Sequence, residues 1–207
     1  MLTTNPDFSP PDRTQGEREL DYLGRGIAIA SFLGAKYVRI VAGQSHPDTS
    51  LEEGKRWVVG LFKKAAKFGD RYGIQLVYEN RSKPEAWQYS DFSFSTEIFL
   101  YIVESVRDAS IRINFDTANP VAFGDDPLLV LYEIVGMVGT VHAADTGERG
   151  RLRPVPLGEG LVPFKEIFHI LKQNGYDNWV YIEGASGTDK RGVAKATDFV
   201  RKTWADS

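Results

Sequence analysis

Short runs of β-branched and aromatic residues alternate with amphipathic stretches, and this alternation constrains the fold more than any other feature of the sequence. The runs recur about every 35 residues, with a helical pattern between them. Repeated strand–helix units favour a parallel sheet, because each helix carries the chain back to begin the next strand in the same direction. The five predicted strands are residues 37–42, 74–79, 111–116, 138–142 and 179–183.

The predicted helices begin at recognisable capping sequences. Ser50 with Glu53 three residues later forms a capping box. Asp126 followed by Pro127 has the chemistry of an N-cap and a first helical position. No linker or low-complexity tract interrupts the alternation, so we expect a single domain over residues 1–207.

Composition excludes several classes of protein. With 42% hydrophobic residues the chain can bury a substantial core, while the net charge of −3 and the scattered Lys and Arg residues give no basic surface for nucleic acid or membrane. The chain has no cysteine, which excludes disulfides and thiolate metal sites and suits a cytoplasmic protein. No Gly-x-Gly-x-x-Gly loop follows any predicted strand, so a dinucleotide-binding fold has no support.

Four of the five predicted strands end in a side chain that can bind a metal ion. Side chains alternate between the two faces of a strand, so in residues 111–116 the three apolar residues share one face and Asp116 takes the opposite face. Strand ends about 5 Å apart can bring such groups to one point. One imidazole with three carboxylates suits Mn²⁺, Mg²⁺ or Co²⁺ and also admits Zn²⁺. The four predicted ligands are Glu79, Asp116, His142 and Glu183.

Five segments resemble the last strands of sugar isomerases and epimerases of the xylose isomerase-like TIM-barrel family. The order Glu, Asp, His, Glu on successive strands is similar to the metal ligands of that family. The Gly-Glu-Gly sequence before a helix is similar to its connection between the last two strands. The segments are LVYEN (76–80), INFDTANP (113–120), VHAAD (141–145), PLGEGLVPF (156–164) and WVYIEG (179–184).

The resemblance implies an α/β fold of the (β/α)₈ TIM-barrel type that is incomplete. The five predicted βα units correspond to strands four to eight of the family barrel, and the opening TTNPDF resembles the loop that leaves strand three. A barrel lacking its first two to three strands has open edges with unpaired backbone groups. We therefore expect a homo-oligomer that associates through these edges.

The resemblance also implies a reaction. A divalent metal ion, with Mn²⁺ expected first, binds a sugar or keto-sugar carbonyl and acidifies the adjacent C–H. Glu79 and Glu183 lie on opposite sides of the sugar; one removes the proton to give an enediolate and the other returns a proton. No organic cofactor is required. The expected function is a metal-dependent isomerase or epimerase with a small sugar substrate.

Three further residues are candidates for substrate binding. Asn119 stands where several sugar epimerases carry a histidine three residues after the metal aspartate. Arg149 lies in the loop after the fourth predicted strand, close to where epimerases place a substrate-binding arginine. His46 follows the first predicted strand and could line the mouth of a barrel.

Two alternatives stay open from the sequence. A keto-polyol dehydratase of the same fold begins with the same proton abstraction beside a metal-bound carbonyl. The other alternative is a catalytically silent truncated barrel that serves as a binding or assembly module. An abasic-site endonuclease is disfavoured, because its trinuclear zinc site needs more than the three histidines of this chain.

Overall fold

Parallel strands joined by helices make up the described chain, which comprises residues 1–82, 86–184 and 189–207 of a computed structural model. Within these residues the chain divides into two compact units, Met1–Arg112 and Ile113–Ser207. The division falls inside one strand, Ile111–Asp116. The expectation of a single domain stays a prediction.

The first unit contains three parallel strands in the order β1, β2, β3. Leu2 pairs with Val38 across the first two strands, and Tyr37 pairs with Gln75 across the next two. A long helix follows each of the first two strands, as a crossover between parallel strands requires. The elements are β1 (Leu2–Thr3), α1 (Arg13–Phe32), β2 (Tyr37–Ile40), α2 (Leu51–Tyr72), β3 (Gln75–Glu79) and α3 (Thr96–Ser105).

A row of aromatic rings forms the centre of the first unit. The ring of Phe62 on α2 lies 5.9 Å from Phe8 and 4.9 Å from Tyr78, measured between centroids. Tyr78 on β3 in turn lies 5.1 Å from Phe99 on α3. All four side chains are fully buried. Edge-to-face and tilted contacts of this kind add stability beyond the buried apolar area, and here they fix β3 against two helices.

The second unit contains three parallel strands in the order β4, β5, β8 and a short antiparallel hairpin, β6 with β7. Register shifts once between β4 and β5, because Ile113 pairs with Val138 whereas Asn114 pairs with Thr140. The elements are β4 (Ile111–Asp116), α4 (Asn119–Phe123), α5 (Pro127–Ile134), a 3₁₀ turn (Val135–Met137), β5 (Val138–Ala143), β6 (Asp145–Thr146), β7 (Pro154–Val155), α6 (Phe164–Gln173), β8 (Val180–Ile182) and α7 (Lys190–Ala205).

The predicted helix starts are confirmed. The Ser50 hydroxyl accepts a hydrogen bond from the Glu53 N–H and donates one to the Glu53 carboxylate at 2.6 Å. Asp126 caps α5 by accepting from the Leu128 N–H at 2.9 Å, and Pro127 is the first helical residue. Among the described residues, no helix combines the length and apolar character needed to cross a membrane.

The expected number of strands is wrong by one. Leu2–Thr3 pairs in parallel with β2, so the described residues carry six parallel strands instead of five. A strand of two residues is too short for period-2 alternation to reveal it. The Thr4 N–H continues the pairing by donating to the Arg39 carbonyl at 3.1 Å.

Two glycines of α2 are expected to respond in opposite ways to alanine. A methyl group at Gly54 would lie 2.3 Å from the buried ring of Phe92, whereas one at Gly60 would meet nothing within 4 Å. Alanine lowers the conformational entropy of the unfolded chain, so Gly60→Ala should stabilise the fold by roughly 0.5–1 kcal/mol. Gly54→Ala should destabilise it by about 1–3 kcal/mol through overpacking. Chemical denaturation of both variants measures the difference; a stabilised Gly54→Ala would contradict the close packing of Phe92 against Gly54.

Candidate metal centre

Asp116, His142 and Glu183 come together at the carboxyl ends of three neighbouring parallel strands in the second unit. Asp116 is the last residue of β4 and is the register partner of His142 on β5. Glu183 immediately follows β8, and its N–H donates to the Ala143 carbonyl at 3.0 Å. Each of the three residues therefore lies at or next to the carboxyl end of its strand.

The side chains of β4 and β5 that precede these ligands confirm which face they occupy. The Thr140 hydroxyl donates to the Asn114 side-chain oxygen at 2.7 Å, so these two buried side chains share a face. Asp116 and His142 each follow two residues later on the same strands. Because alternate residues of a strand point to the same side, the aspartate and the histidine face that side as well.

The three groups are close enough to share an ion. Donor atoms of Asp116, His142 and Glu183 lie within 4.8 Å of one another. His142 Nδ1 contacts Glu183 Oε2 at 2.5 Å. Asp116 and His142 are buried, whereas the Glu183 side chain keeps 34% of its surface exposed. The arrangement is thus open on the glutamate side.

Backbone donors hold the Asp116 carboxylate in place. Its Oδ1 accepts from the N–H of Ala118 at 2.9 Å and from the N–H of Asn119 at 2.8 Å. Both donors belong to the turn that leads from β4 into α4. Two backbone bonds to one oxygen fix the orientation of the carboxylate, since rotation of the side chain would leave two buried N–H groups without an acceptor.

Glu79, the fourth predicted ligand, lies in the first unit at the end of β3. Its side chain is fully buried, and Oε2 lies 3.3 Å from Arg39 Nε and 3.4 Å from Arg81 Nη1. Arg39 also donates to the Thr4 carbonyl at 2.7 Å and to the Asn5 side-chain oxygen at 2.8 Å. Pairing offsets the cost of burying these charges, and it fixes the carboxylate.

Asp91 is a second buried carboxylate in the first unit, in the loop after β3. Its Oδ1 accepts from the Ser93 N–H at 2.8 Å and from the Ser93 hydroxyl at 2.6 Å. Burial raises the pKa of Asp91 to about 7, against the opposing effect of the two Ser93 hydrogen bonds; the nearby charge of Glu79 raises it further. Asp91 was not among the sequence candidates.

The three predicted substrate-binding residues have different surroundings. His46 follows β2, and its Nε2 lies 2.8 Å from Asp7 Oδ2. Asn119 is buried at the start of α4, and its side-chain oxygen has no hydrogen-bond partner among residues 1–82, 86–184 and 189–207. Arg149 is exposed, and its Nη1 donates to the carbonyl groups of Gly124 and Asp125 at 3.2 and 2.8 Å. Their role in substrate binding stays a prediction.

Sequence reasoning also missed the structural role of Asp145. Its carboxylate accepts four backbone N–H groups, from Thr146, Gly158, Gly160 and Val162, at 2.9 to 3.1 Å. A methyl group at Gly160 would lie 2.2 Å from Asp145 Oδ1, so glycine is required there. The Asp145 carboxylate therefore holds the loop of the PLGEG segment against the VHAAD segment. A single aspartate after a strand does not indicate this role in the sequence.

Comparison with known proteins places the chain in a family. A family model described as "Xylose isomerase-like TIM barrel" matches residues 1–203. The chain belongs to this family. The resemblance stated from the sequence is thereby confirmed, and the TIM-barrel fold with it.

Individual relatives of the xylose isomerase-like chain are sugar epimerases. L-ribulose-5-phosphate 3-epimerase UlaE of Escherichia coli K12 is 26% identical over 196 residues, which cover 93% of this chain and 65% of the relative. A solved D-tagatose 3-epimerase-like protein superposes with a TM-score of 0.82 at 18% identity, covering 97% of this chain and 76% of the other. The chain thus spans about two thirds of the length of the curated relative.

A solved structure with a bound metal is also similar. The IOLI protein, whose structure contains a zinc atom, superposes with a TM-score of 0.77 at 19% identity and covers 99% of this chain and 75% of its own. Ligand bonds of roughly 2.0–2.6 Å place two ligands of one ion no more than about 4–5 Å apart. The spacing of Asp116, His142 and Glu183 meets this limit. These residues fit a divalent cation.

The raised pKa of Asp91 makes a prediction about stability and pH. Below the unfolded-state pKa of 3.8 both states are protonated; above it, the unfolded state loses the proton that the folded state keeps until about pH 7. The stability contributed by Asp91 should therefore fall between pH 4 and pH 7 and level off above. Asp91→Asn removes this loss. As the pH rises from 4.5 to 7.5, the free energy of unfolding of the variant should therefore increase by at least about 1.4 kcal/mol relative to that of the native chain.

Denaturant unfolding at several pH values measures this difference. Asp48→Asn, which changes an exposed carboxylate after β2, is the matched control and should follow the native chain. If the free energies of unfolding of Asp91→Asn and the native chain differed by the same amount across this pH range, burial would not shift the pKa of the Asp91 carboxyl group.

Proposed function

We propose that the chain is a divalent-metal-dependent sugar or keto-sugar isomerase or epimerase that works by proton transfer next to a carbonyl. The observation that carries this proposal is the convergence of Asp116, His142 and Glu183 at three adjacent strand ends. The relatives support it, because UlaE is named as a 3-epimerase of a ketose phosphate. A small sugar is the proposed substrate.

The proposed ligands of the cation are Asp116, His142 and Glu183, with Glu79 as the fourth. Carboxylate oxygens dominate this set, and the chain has no thiolate to offer. We therefore propose Mn²⁺ first, while Mg²⁺, Co²⁺ and Zn²⁺ share the same ligand types. When bound, the cation supplies Lewis-acid polarisation of a substrate carbonyl and so acidifies the neighbouring C–H.

Glu183 and Glu79 are proposed to move the proton. A general base has to reach the proton it removes, and the partly exposed Glu183 side chain has access to an incoming sugar. Glu79 is held by two guanidinium groups, so its carboxylate keeps one orientation. One glutamate removes the proton from the carbon beside the carbonyl, and the other donates a proton to the opposite face.

Removing the imidazole should weaken metal binding. Loss of groups that only support a ligand already costs 10–100-fold in metal affinity, so His142→Ala should raise the dissociation constant for Mn²⁺ by about 100-fold or more. Titration calorimetry on protein treated with EDTA measures it. His169→Ala, on the exposed side of α6, is the matched histidine control and should bind Mn²⁺ as the native chain does. Equal affinity of the two variants would exclude His142 as a ligand.

Proton exchange tests the reaction itself. The Mn²⁺-loaded chain should exchange the proton on C3 of a ketose such as L-ribulose 5-phosphate or D-tagatose with deuterated water, which NMR detects. Glu183→Gln should slow this exchange by about 10²–10⁴-fold, the usual contribution of a general acid or base. Glu166→Gln, an exposed substitution on α6, should leave the rate unchanged.

The outcomes separate the alternatives. Exchange accompanied by loss of water from the substrate would favour the dehydratase. A native chain that binds Mn²⁺ but exchanges no proton of any ketose would favour the silent module. An equal exchange rate in Glu183→Gln would remove this glutamate from the mechanism.

Association through open strand edges stays part of the proposal. In the described residues β1 pairs with β2 alone, and β8 pairs with β5 alone. The helix α1 and its C-cap residue expose four large apolar side chains, between 55% and 90% of their surface. Exposed edges beside apolar surface are typical of sites of association. The exposed residues are Tyr22, Ile29, Phe32 and Leu33.

A further inference from the structure

A groove in the first unit lies beside the loop that follows β3. Its volume is about 480 Å³, within the range of about 300–1,000 Å³ typical of small-molecule sites. Three aromatic rings and one isoleucine provide apolar surface, and two serines and a glutamine provide hydrogen-bonding groups. The lining residues are Ser45, Gln88, Tyr89, Ser90, Phe92, Phe94 and Ile98.

The floor of this groove is built by backbone pairing and is therefore rigid. Gln44 and Asp91 form an antiparallel bridge. On either side of it the Ser45 N–H donates to the Ser90 carbonyl at 2.8 Å, and the Phe92 N–H donates to the Gly43 carbonyl at 2.6 Å. The loop cannot rearrange without breaking these bonds, so the groove exists before a ligand arrives.

A side chain from the segment that follows β2 holds the rim. The Gln44 side-chain oxygen accepts from the N–H of Gln88 at 2.9 Å and from the N–H of Tyr89 at 3.2 Å. The Tyr89 ring also lies edge-on to His46, with centroids 5.8 Å apart. These contacts fix the direction of an aromatic ring at the edge of the groove.

Charge decides what the groove can bind. Among the described residues, none of the seven that line it carries a formal charge. These seven residues offer no guanidinium or ammonium group to a phosphate or carboxylate, and no carboxylate to a cation. Aromatic faces carry negative partial charge and attract the weakly positive C–H bonds on the face of a sugar ring. The serine and glutamine side chains can bond to sugar hydroxyl groups.

We infer that this groove of the first unit is a binding site for a neutral sugar ring, in addition to the proposed metal centre. Phe94 is the proposed platform for the sugar ring, because 39% of its surface is exposed, whereas Phe92, which also lines the groove, is buried. Phe92 packs against α2 at Gly54, where only a glycine leaves room for its ring. The ligand is an uncharged saccharide, not a sugar phosphate.

Binding of cellobiose, a neutral disaccharide, tests the inference. The experiment uses the full chain with EDTA present, so that its result does not depend on metal binding or turnover. Saturation-transfer NMR and titration calorimetry should detect saturable binding of cellobiose. Phe94→Ala and Tyr89→Ala should each raise its dissociation constant by about tenfold or more, and Tyr89→Phe should keep most of the affinity because it keeps the ring.

Controls separate this site from the metal centre and from general loss of structure. Leu129→Ala, which removes an even more exposed apolar side chain from α5, should bind cellobiose as the native chain does. His142→Ala should also bind normally. Thermal unfolding monitored by circular dichroism should show Phe94→Ala folded, since the side chain is exposed.

Three results would overturn the inference. One is the absence of saturable cellobiose binding to the native chain. Another is an equal affinity in Phe94→Ala and the native chain. The third is tighter binding of glucose 6-phosphate than of glucose at a site that Phe94→Ala weakens, because it would show that the groove selects an anion.

Discussion

Strand β5 carries one extra residue against β4, and the pairing of Asp116 with His142 in the candidate metal centre depends on it. Ile113 pairs with Val138 and the next residue, Asn114, pairs with Thr140, so Gly139 is the residue left over. Without this bulge, continued pairing from Ile113 would set Asp116 opposite Val141. A shift of one residue moves side chains to the other face of a sheet, and a bulge is the usual device that corrects their direction. The Gly139 carbonyl accepts from the Asn178 side chain at 2.8 Å, which holds the bulge.

Most of this arrangement could be predicted from the sequence because it follows from local periodicity. Alternation along residues 111–116 places Asp116 away from the apolar face, and the parallel direction of the strands places their carboxyl ends together. In the structure Asp116 pairs with His142, and donor atoms of Asp116, His142 and Glu183 lie within 4.8 Å of one another. The bulge itself is visible in the sequence only as a glycine that weakens a strand. Its effect on register depends on pairing with β4, which no local pattern encodes.

The rest of the site depends on contacts between residues far apart in the chain. Arg39 interrupts the apolar strand β2, and a charge in a buried parallel strand is a signal that could have been used. Its partners Thr4 and Glu79, however, lie 35 and 40 residues away. The pKa of Asp91 is raised because this loop residue is buried. The burial of a single loop residue cannot be predicted from the periodicity of the sequence. The strand β1 could not be predicted from the sequence for the same reason, since its two residues form a strand only by pairing with β2.

The presence of a carboxylate near a strand end does not show whether it stabilises the fold or is available for metal binding and proton transfer. An ionised carboxylate offers about four acceptor positions. Asp145 uses four on backbone N–H groups, and Asp7 accepts five contacts from Ser9, Gln44 and His46. Such groups are saturated by the chain, and a cation would have to displace donors that have no other acceptor. The Glu183 side chain keeps a third of its surface exposed, and its Oε2 lies 2.5 Å from Nδ1 of His142, a proposed metal ligand. Saturation by backbone donors, more than proximity to a strand end, therefore distinguishes the carboxylates that hold loops from the carboxylate proposed to transfer a proton.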